Sequence, residues 1–273
     1  MRIFISDSTN IDDALLRTTH LAVSAHPDDI EFMAYDGILK CYESGSMYFT
    51  AVIVGDGAGS PRSGKYSRYS DEQMREVRAD EQLLAAKLGR YNAVIFLDKS
   101  SSEIKDSKNH GIVEELTDII RRTRPNVVYT HNPADKHDTH VATAMRVIKA
   151  LRCAEYVPDY VYGCEVWRSL DWLCDYDKIS LDVSGNPSLE SEIMEVFDSQ
   201  IAGGKRYDRA VIGRRCANAT FGNPHEVDGA DGVSFALDLK PLVLDCTLSA
   251  ADYIDGYIKR FSEDIMARIT RYE

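Results

Sequence analysis

An imidazole and two adjacent carboxylates stand within four residues at His26-Pro27-Asp28-Asp29, directly after the apolar run Leu21-Ala22-Val23. Charged groups at the end of a buried strand must be solvated, paired or bound to a metal. A second cluster, containing His131, Asp135, His137, Asp138 and His140, follows Val127-Val128-Tyr129. A catalytic zinc site takes three nitrogen or oxygen ligands and leaves one position open. His26 and Asp29, spaced i, i+3, can both turn into one crevice from a helix entry, and His140 can complete the set. Zn²⁺ held by two histidines and one carboxylate lowers the pKa of a bound water towards ~7. Asp28, beside a ligand without being one, is placed to act as general base. His137, one helical turn from His140, can stabilise an oxyanion or, as imidazolium, protonate a leaving amine. Asp135 or Asp138 can orient one of these rings, because a ligand histidine usually donates its second N–H to an acceptor.

Each residue also has a plainer use. Carboxylates such as Asp28 and Asp29 suit the positive end of a helix macrodipole. His137 and His140 can be a solvated helix face. His131 can support the site from behind or only cap its strand. Arg78 and Glu81, spaced i, i+3, read as a surface salt bridge by default. Asp98 ends a strand at the same sheet edge, where it can meet a substrate. In Glu165-Val166-Trp167-Arg168 the tryptophan can line a sugar pocket or cover the core. The glycine-rich segment 55–64 lacks phosphate-loop spacing and reads as a flexible loop.

The elements that must position these residues follow from apolar runs and capping signals. Strands are expected at 19–24, 47–54, 93–97 and 126–130, with helices at 28–43, from Ser70 to Gly89, at 111–122 and up to about residue 151. Ser70-Asp71-Glu72-Gln73 has the form of a capping box. Arg124-Pro125 stops the third of these helices. Later strands are expected at 160–167 and 178–183, and later helices at 188–199, 205–215 and 249–270. Residues 1–18 read as a weakly patterned lead-in, and 221–238 as a rim loop or a subunit contact. Repeated strand–helix alternation implies an α/β fold, a mostly parallel sheet covered by helices on both faces in three layers. In strand order 3-2-1-4-5 the first and fourth strands are neighbours, and the crevice beyond their carboxyl ends binds ligands. That crevice brings the two polar clusters together.

Composition sets the outer bounds. The 273 residues carry a formal net charge of −12, which argues against nucleic-acid and anionic-membrane surfaces. No CxxC pair occurs among the six cysteines, whose dispersal suits buried free thiols in a reducing compartment. No signal-peptide core or span-length apolar run is present, so a cytoplasmic location is expected. No internal repeat or linker divides the chain, and one domain over 1–273 is expected.

Ala25-His26-Pro27-Asp28-Asp29-Ile30-Glu31 resembles the AHPDDxE signature of the LmbE-like, or PIG-L, zinc-dependent N-deacetylases. Arg78-Ala79-Asp80-Glu81 with Leu88-Gly89 resembles the family's R-x-x-E helix ending in LG, and Phe96-Leu97-Asp98 its FLD strand end. Residues 135–140 resemble its D-x-H-x-D-H segment, and Asp198-Ser199-Gln200 its later SQ helix. The resemblance covers roughly residues 19–200, with 201–273 as an extension. It implies a Rossmann-like fold and hydrolysis of an N-acetyl group from an amino sugar or sugar conjugate, a small-molecule substrate. It assigns zinc to His26, Asp29 and His140, the base to Asp28, oxyanion or acid duty to His137, and substrate contacts to Arg78 and Asp98. Thr139 stands where the family usually has aspartate before the last histidine, which bears on how His137 is tuned.

Two other readings use the same residues. Non-haem Fe(II) oxygenases also employ two histidines and a carboxylate, usually on a β-sandwich barrel, and Fe²⁺ suits the same donors. A binding module without catalysis is equally compatible with the fold, because function lives in the site. The sugar, the native metal and whether the chain forms a homo-oligomer are left open by the sequence.

Overall fold

Five parallel strands carry the site: β2 (His20–Ser24), β3 (Phe49–Gly55), β4 (Ala93–Lys99), β5 (Val127–His131) and β6 (Tyr160–Cys164). The computed structural model describes residues 1–222 and 224–273. The strands lie in the order β4-β3-β2-β5-β6, the arrangement 3-2-1-4-5 expected from the alternation. Chain direction across the sheet therefore reverses between β2 and β5, where a ligand crevice opens. Val52 and Val54 of β3 and Ile95 and Leu97 of β4 belong to one core cluster. Ala51, Ile53, Val94 and Phe96 belong to the other, on the opposite face. This period of two, apolar on both faces, is what a sheet covered twice requires.

Helices fill both faces. They are α1 (Ile11–Leu16), α2 (Asp29–Met33), α3 (Tyr35–Tyr42), α4 (Asp71–Leu88), α5 (Ser101–Lys105), α6 (Gly111–Thr123) and α7 (Asp138–Ala154). The chain continues with α8 (Pro187–Glu195), α9 (Asp198–Ala202), α10 (Tyr207–Thr220), α11 (Lys240–Leu244) and α12 (Ala250–Thr270). The capping box of α4 forms, with Ser70 and Gln73 exchanging hydrogen bonds, and Gly89 closes the helix. Arg124 ends α6 in the left-handed region at φ 42°, immediately before Pro125.

Four expectations are corrected. Residues 1–18 contain β1 (Arg2–Ile5), which pairs antiparallel with β4, and α1. Residues 221–238 include β8 (Val233–Asp238), which lies in the sheet between β6 and β7 (Ile179–Asp182), antiparallel to both. Asn223, in that segment, lies outside the described residues. The helix expected over 28–43 is two, broken at Ala34 (φ −123°). Of the six cysteines only Cys41, Cys164 and Cys174 are buried; Cys153, Cys216 and Cys246 are exposed thiols. Among the described residues no helix is long and apolar enough to cross a membrane.

Candidate active site

The turn after β2 is built by its neighbours. Gly55, at the end of β3, donates its N–H to the carbonyl of Ala25 at 2.9 Å. A Cβ at Gly55 would stand 2.4 Å from that oxygen, so only glycine lets the two strand ends approach. The His26 N–H donates to Asp29 Oδ2 at 2.8 Å. Asp28, at φ 88°, is in a conformation that a non-glycine residue adopts only when its surroundings impose it. Its N–H donates to Gln82 Oε1 at 3.1 Å, and the Gln82 amide donates onward to Glu31 at 2.7 Å. Tyr91 donates its hydroxyl proton to the same Glu31 oxygen at 2.6 Å. Burial pushes the Glu31 carboxyl up to about 8, despite these hydrogen bonds. Glu31 is therefore a neutral acid at pH 7, a packing and hydrogen-bonding support behind the turn.

His26 Nδ1, Asp29 Oδ2 and His140 Nε2 converge, with mutual separations of 3.1, 3.2 and 3.3 Å. Three donors bound at roughly 2.0–2.2 Å with tetrahedral angles stand about 3.3 Å apart, so these atoms fit one transition-metal ion. The electrostatics agree. Burial disfavours a charge on His140, yet Asp29 and Asp135 raise its pKa to about 9. Burial likewise opposes ionisation of Asp29, but His140, His131 and His26 hold it well below the usual carboxylate range. The cluster draws positive charge to its centre. Two overlapping groups of candidate ligands occur here, His26-His137-His140 and Asp29-His131-His140.

His131 is fully buried, its Nε2 accepting the Ala25 N–H at 2.9 Å. Its ring stacks on His140 with centroids 3.9 Å apart, and burial holds its pKa well below the usual value. It is thus a neutral support beneath the site. Its Nε2 stands 3.5 Å from Asp29 Oδ2, but that nitrogen's lone pair is already used by the backbone.

His137 caps α7, its Nδ1 accepting the Thr139 N–H at 3.3 Å. That bond assigns the ring proton of the neutral form to Nε2. Burial, with His140 and His26 nearby, lowers its pKa. In this arrangement His137 is a neutral N–H donor, the form that suits hydrogen bonding to an oxyanion. Asp135 organises this side: it accepts the His137 and Trp167 N–H groups at 3.0 and 3.1 Å. Its Oδ2 is 3.7 Å from His140 Nδ1, too far for a hydrogen bond and close enough for charge attraction. Asp138 is exposed and bonds to neither ring. With Thr139 before His140, the Thr139 backbone orients His137 in place of a carboxylate.

Arg78 corrects the surface salt-bridge reading. It is 1% exposed and donates to Asp28 Oδ2 at 2.8 Å, to Glu81 at 3.1 Å and to the Pro27 carbonyl. Glu81 in turn accepts the Ser199 N–H and hydroxyl at 2.6 and 2.7 Å. Burial raises Asp28 to about 6, against the attraction of Arg78. Arg78 holds the candidate base and also lines the cavity over the donors. Asp98 does not join the site at all. Its carboxylate pairs with Arg2 at 2.6 and 2.9 Å, and it does not line the cavity over the donors.

That cavity, of about 380 Å³, is bounded on one side by the 55–61 loop and on the other by Trp167, Lys205 and Tyr207. Aromatic rings lead outward from the cluster. His137 and Trp167 lie 6.3 Å apart, Trp167 and Tyr207 6.2 Å, and Tyr207 and Phe32 4.9 Å. The Lys205 ammonium lies 4.8 Å from the Trp167 ring centroid. Phe32, Lys205 and Tyr207 carry no sequence signal for the site, nor does Gln82, because each reaches it only through folding. Trp167, which the sequence allows as a pocket wall, does line the cavity, and the 55–61 stretch, expected as a flexible loop, forms its other rim.

Residues 21–151 match the family model described as PIG-L: GlcNAc-PI de-N-acetylase. An uncharacterized deacetylase of Escherichia coli, YaiS, is 27% identical over 161 residues, covering 57% of this chain and 80% of that protein. GalB, the 4-carboxy-2-hydroxymuconate hydratase of Pseudomonas putida, has a TM-score of 0.64 at 17% identity, with 81% and 96% of the two chains covered. N,N'-diacetylchitobiose deacetylase from Pyrococcus horikoshii has a TM-score of 0.64 at 15% identity, with 88% and 96% covered. A fold shared by a hydratase and a deacetylase does not choose a reaction. The family match does span the signature at 25–31 and all three converging donors, so residues 21–151 of this chain are similar to a PIG-L (LmbE-like) domain over the whole of the candidate metal-binding cluster.

Proposed function

We propose that the protein is a metal-dependent deacetylase that hydrolyses the N-acetyl amide of an amino sugar or sugar conjugate. The observation that carries this reading is the convergence of His26 Nδ1, Asp29 Oδ2 and His140 Nε2 at 3.1–3.3 Å beside a separate buried carboxylate. A divalent ion, zinc or a neighbour such as Fe²⁺, held by these three would supply Lewis acidity and a more acidic bound water. The remaining work falls to the chain. Asp28, aimed by Arg78 and Gln82, accepts the proton of the attacking water, and the new C–O bond forms at the acetamide carbonyl. His137 Nε2–H donates to the carbonyl oxygen as negative charge develops there. The C–N bond breaks when the amine takes the proton carried by Asp28, leaving acetate and a free amine. The rings of Trp167 and Tyr207 support the amphipathic face of a sugar, as aromatic walls with a few polar groups do in ligand cavities.

Acetate release from a panel of N-acetyl amino sugars by metal-loaded protein tests the reading. Asp28→Asn is expected to lower kcat by roughly 10²–10⁴-fold while leaving metal content unchanged. Full activity in that variant would remove Asp28 as the base. Absence of acetate release with every sugar, alongside hydration of an unsaturated carboxylic acid, would instead favour the hydratase chemistry found on the same fold.

A further inference from the structure

We propose that the outer half of α12 is a self-association surface on which a second copy of this chain packs antiparallel. The first half of the helix belongs to the body: Tyr253 and Ile254 pack against the core, and Tyr257 is buried in it. The Tyr253 hydroxyl donates to the Asp238 carbonyl at 2.7 Å, and Arg260 pairs with Asp177 at 2.8 Å. Beyond Arg260 the helix leaves the body. Among the described residues, no hydrogen bond, ion pair or ring contact joins residues 261–273 to another element.

This outer half keeps an apolar stripe. Ile254, Ile258, Phe261, Ile265, Ile269 and Tyr272 recur at spacings of four and three, the seam of a helix that meets another helix. Ile258 is 50% exposed, Ile265 38%, Met266 55%, Ile269 46% and Tyr272 85%. These residues leave on the order of 500 Å² of apolar surface bare on one copy, as large as the largest patch on a typical monomer. Two copies would cover about 1,000 Å², the threshold for a specific interface.

The pattern and the charges select the occupant. In an antiparallel overlap Phe261 of one copy meets Ile265 of the other, and Ile258 lies against Ile269, so apolar positions face apolar positions twice about one two-fold axis. Antiparallel packing also opposes the helix dipoles and keeps two bodies of net charge −12 at opposite ends of the contact. A membrane surface fits poorly. The polar side carries Asp252, Asp255, Glu263 and Asp264 against Lys259, Arg260, Arg268 and Arg271, whereas membrane-lying helices carry a basic face.

Sedimentation equilibrium of the full chain at micromolar concentration is the test. The wild type is expected at twice its 30.6 kDa, and Ile265→Glu is expected to be monomeric with an unchanged circular dichroism spectrum. Ala267→Glu, on the opposite side of the helix, is expected to remain dimeric. If Ile265→Glu fails to fold, Ile258→Glu and Ile269→Glu are read instead. A wild type that stays at 30.6 kDa throughout, including one that then binds vesicles, would overturn the proposal. So would an assembly that the folded Glu variants leave intact.

Discussion

The chemistry rests on a division of labour between two adjacent carboxylates. Asp29 faces three imidazoles and stays ionised, whereas Asp28 faces Arg78 in a dry site and is raised to about 6. Environments that push neighbouring acids apart are how one site obtains both a ligand and a base. The two should therefore separate in experiment. Asp29→Asn and His140→Ala are expected to lose stoichiometric metal, measured by elemental analysis, whereas Asp28→Asn retains it and loses turnover. Gln82 acts through Asp28, as a positioning residue. Gln82→Leu leaves the Asp28 N–H unpaired and Glu31 with the Tyr91 hydroxyl alone, and is expected to lower kcat at least tenfold with little change in KM. Equal loss of metal binding in Gln82→Leu would show a general collapse of the turn instead.

At the scale of elements, the site depends on the close approach of the β2 and β3 ends. Gly55→Ala forces a Cβ into the Ala25 carbonyl and is expected to destabilise the fold by at least ~2 kcal/mol, read as a lower urea midpoint. His20, the first residue of β2, with its ring against Cys41 of α3, makes stability depend on pH. Burial lowers its pKa to about 4, below the unfolded value, so the unfolded chain binds more protons in between. Stability from this group is complete above about pH 6.5 and is lost as pH falls towards 4, by at most about 3 kcal/mol. Urea midpoints measured from pH 7 to 4.5 should fall less steeply in His20→Gln than in the wild type.

At the scale of the molecule, the family-matched segment is not a complete site. It ends at residue 151, whereas Trp167, Lys205 and Tyr207 of the cavity wall come later in the chain. Ser199 fastens that later part to Glu81, the partner of Arg78, so the wall and the candidate base share one support. Strands β6, β8 and β7 extend the sheet beyond β5. A chain ending at residue 155 would bare the edge of β5 and a core face of α7, and is expected to show no cooperative thermal transition. A sharp transition in that fragment would make the last third an accessory layer.

The amino-acid sequence by itself determined the parallel centre of the sheet and the two histidine–aspartate clusters at its carboxyl edge. Both are local signals: apolar strands such as Val127-Val128-Tyr129 are buried on both faces, and alternation of strand and helix restricts their order. Capping at Ser70 and the stop at Arg124-Pro125 were legible for the same reason, since the groups involved are a few residues apart. Other features lay beyond reach of a sequence reading. Four residues at β1 and six at β8 have weak intrinsic patterns and become strands only because β4 and β6 present unpaired edges. Arg78 and Glu81 have the spacing of a surface pair, and only packing against Asp28 and Ser199 buries them. Asp98 ends a strand at the site's edge of the sheet, yet Arg2 from the neighbouring β1 takes its carboxylate. Tertiary structure decides which charges are buried, and burial fixes which carboxylate can serve as ligand, which as base, and which is only paired.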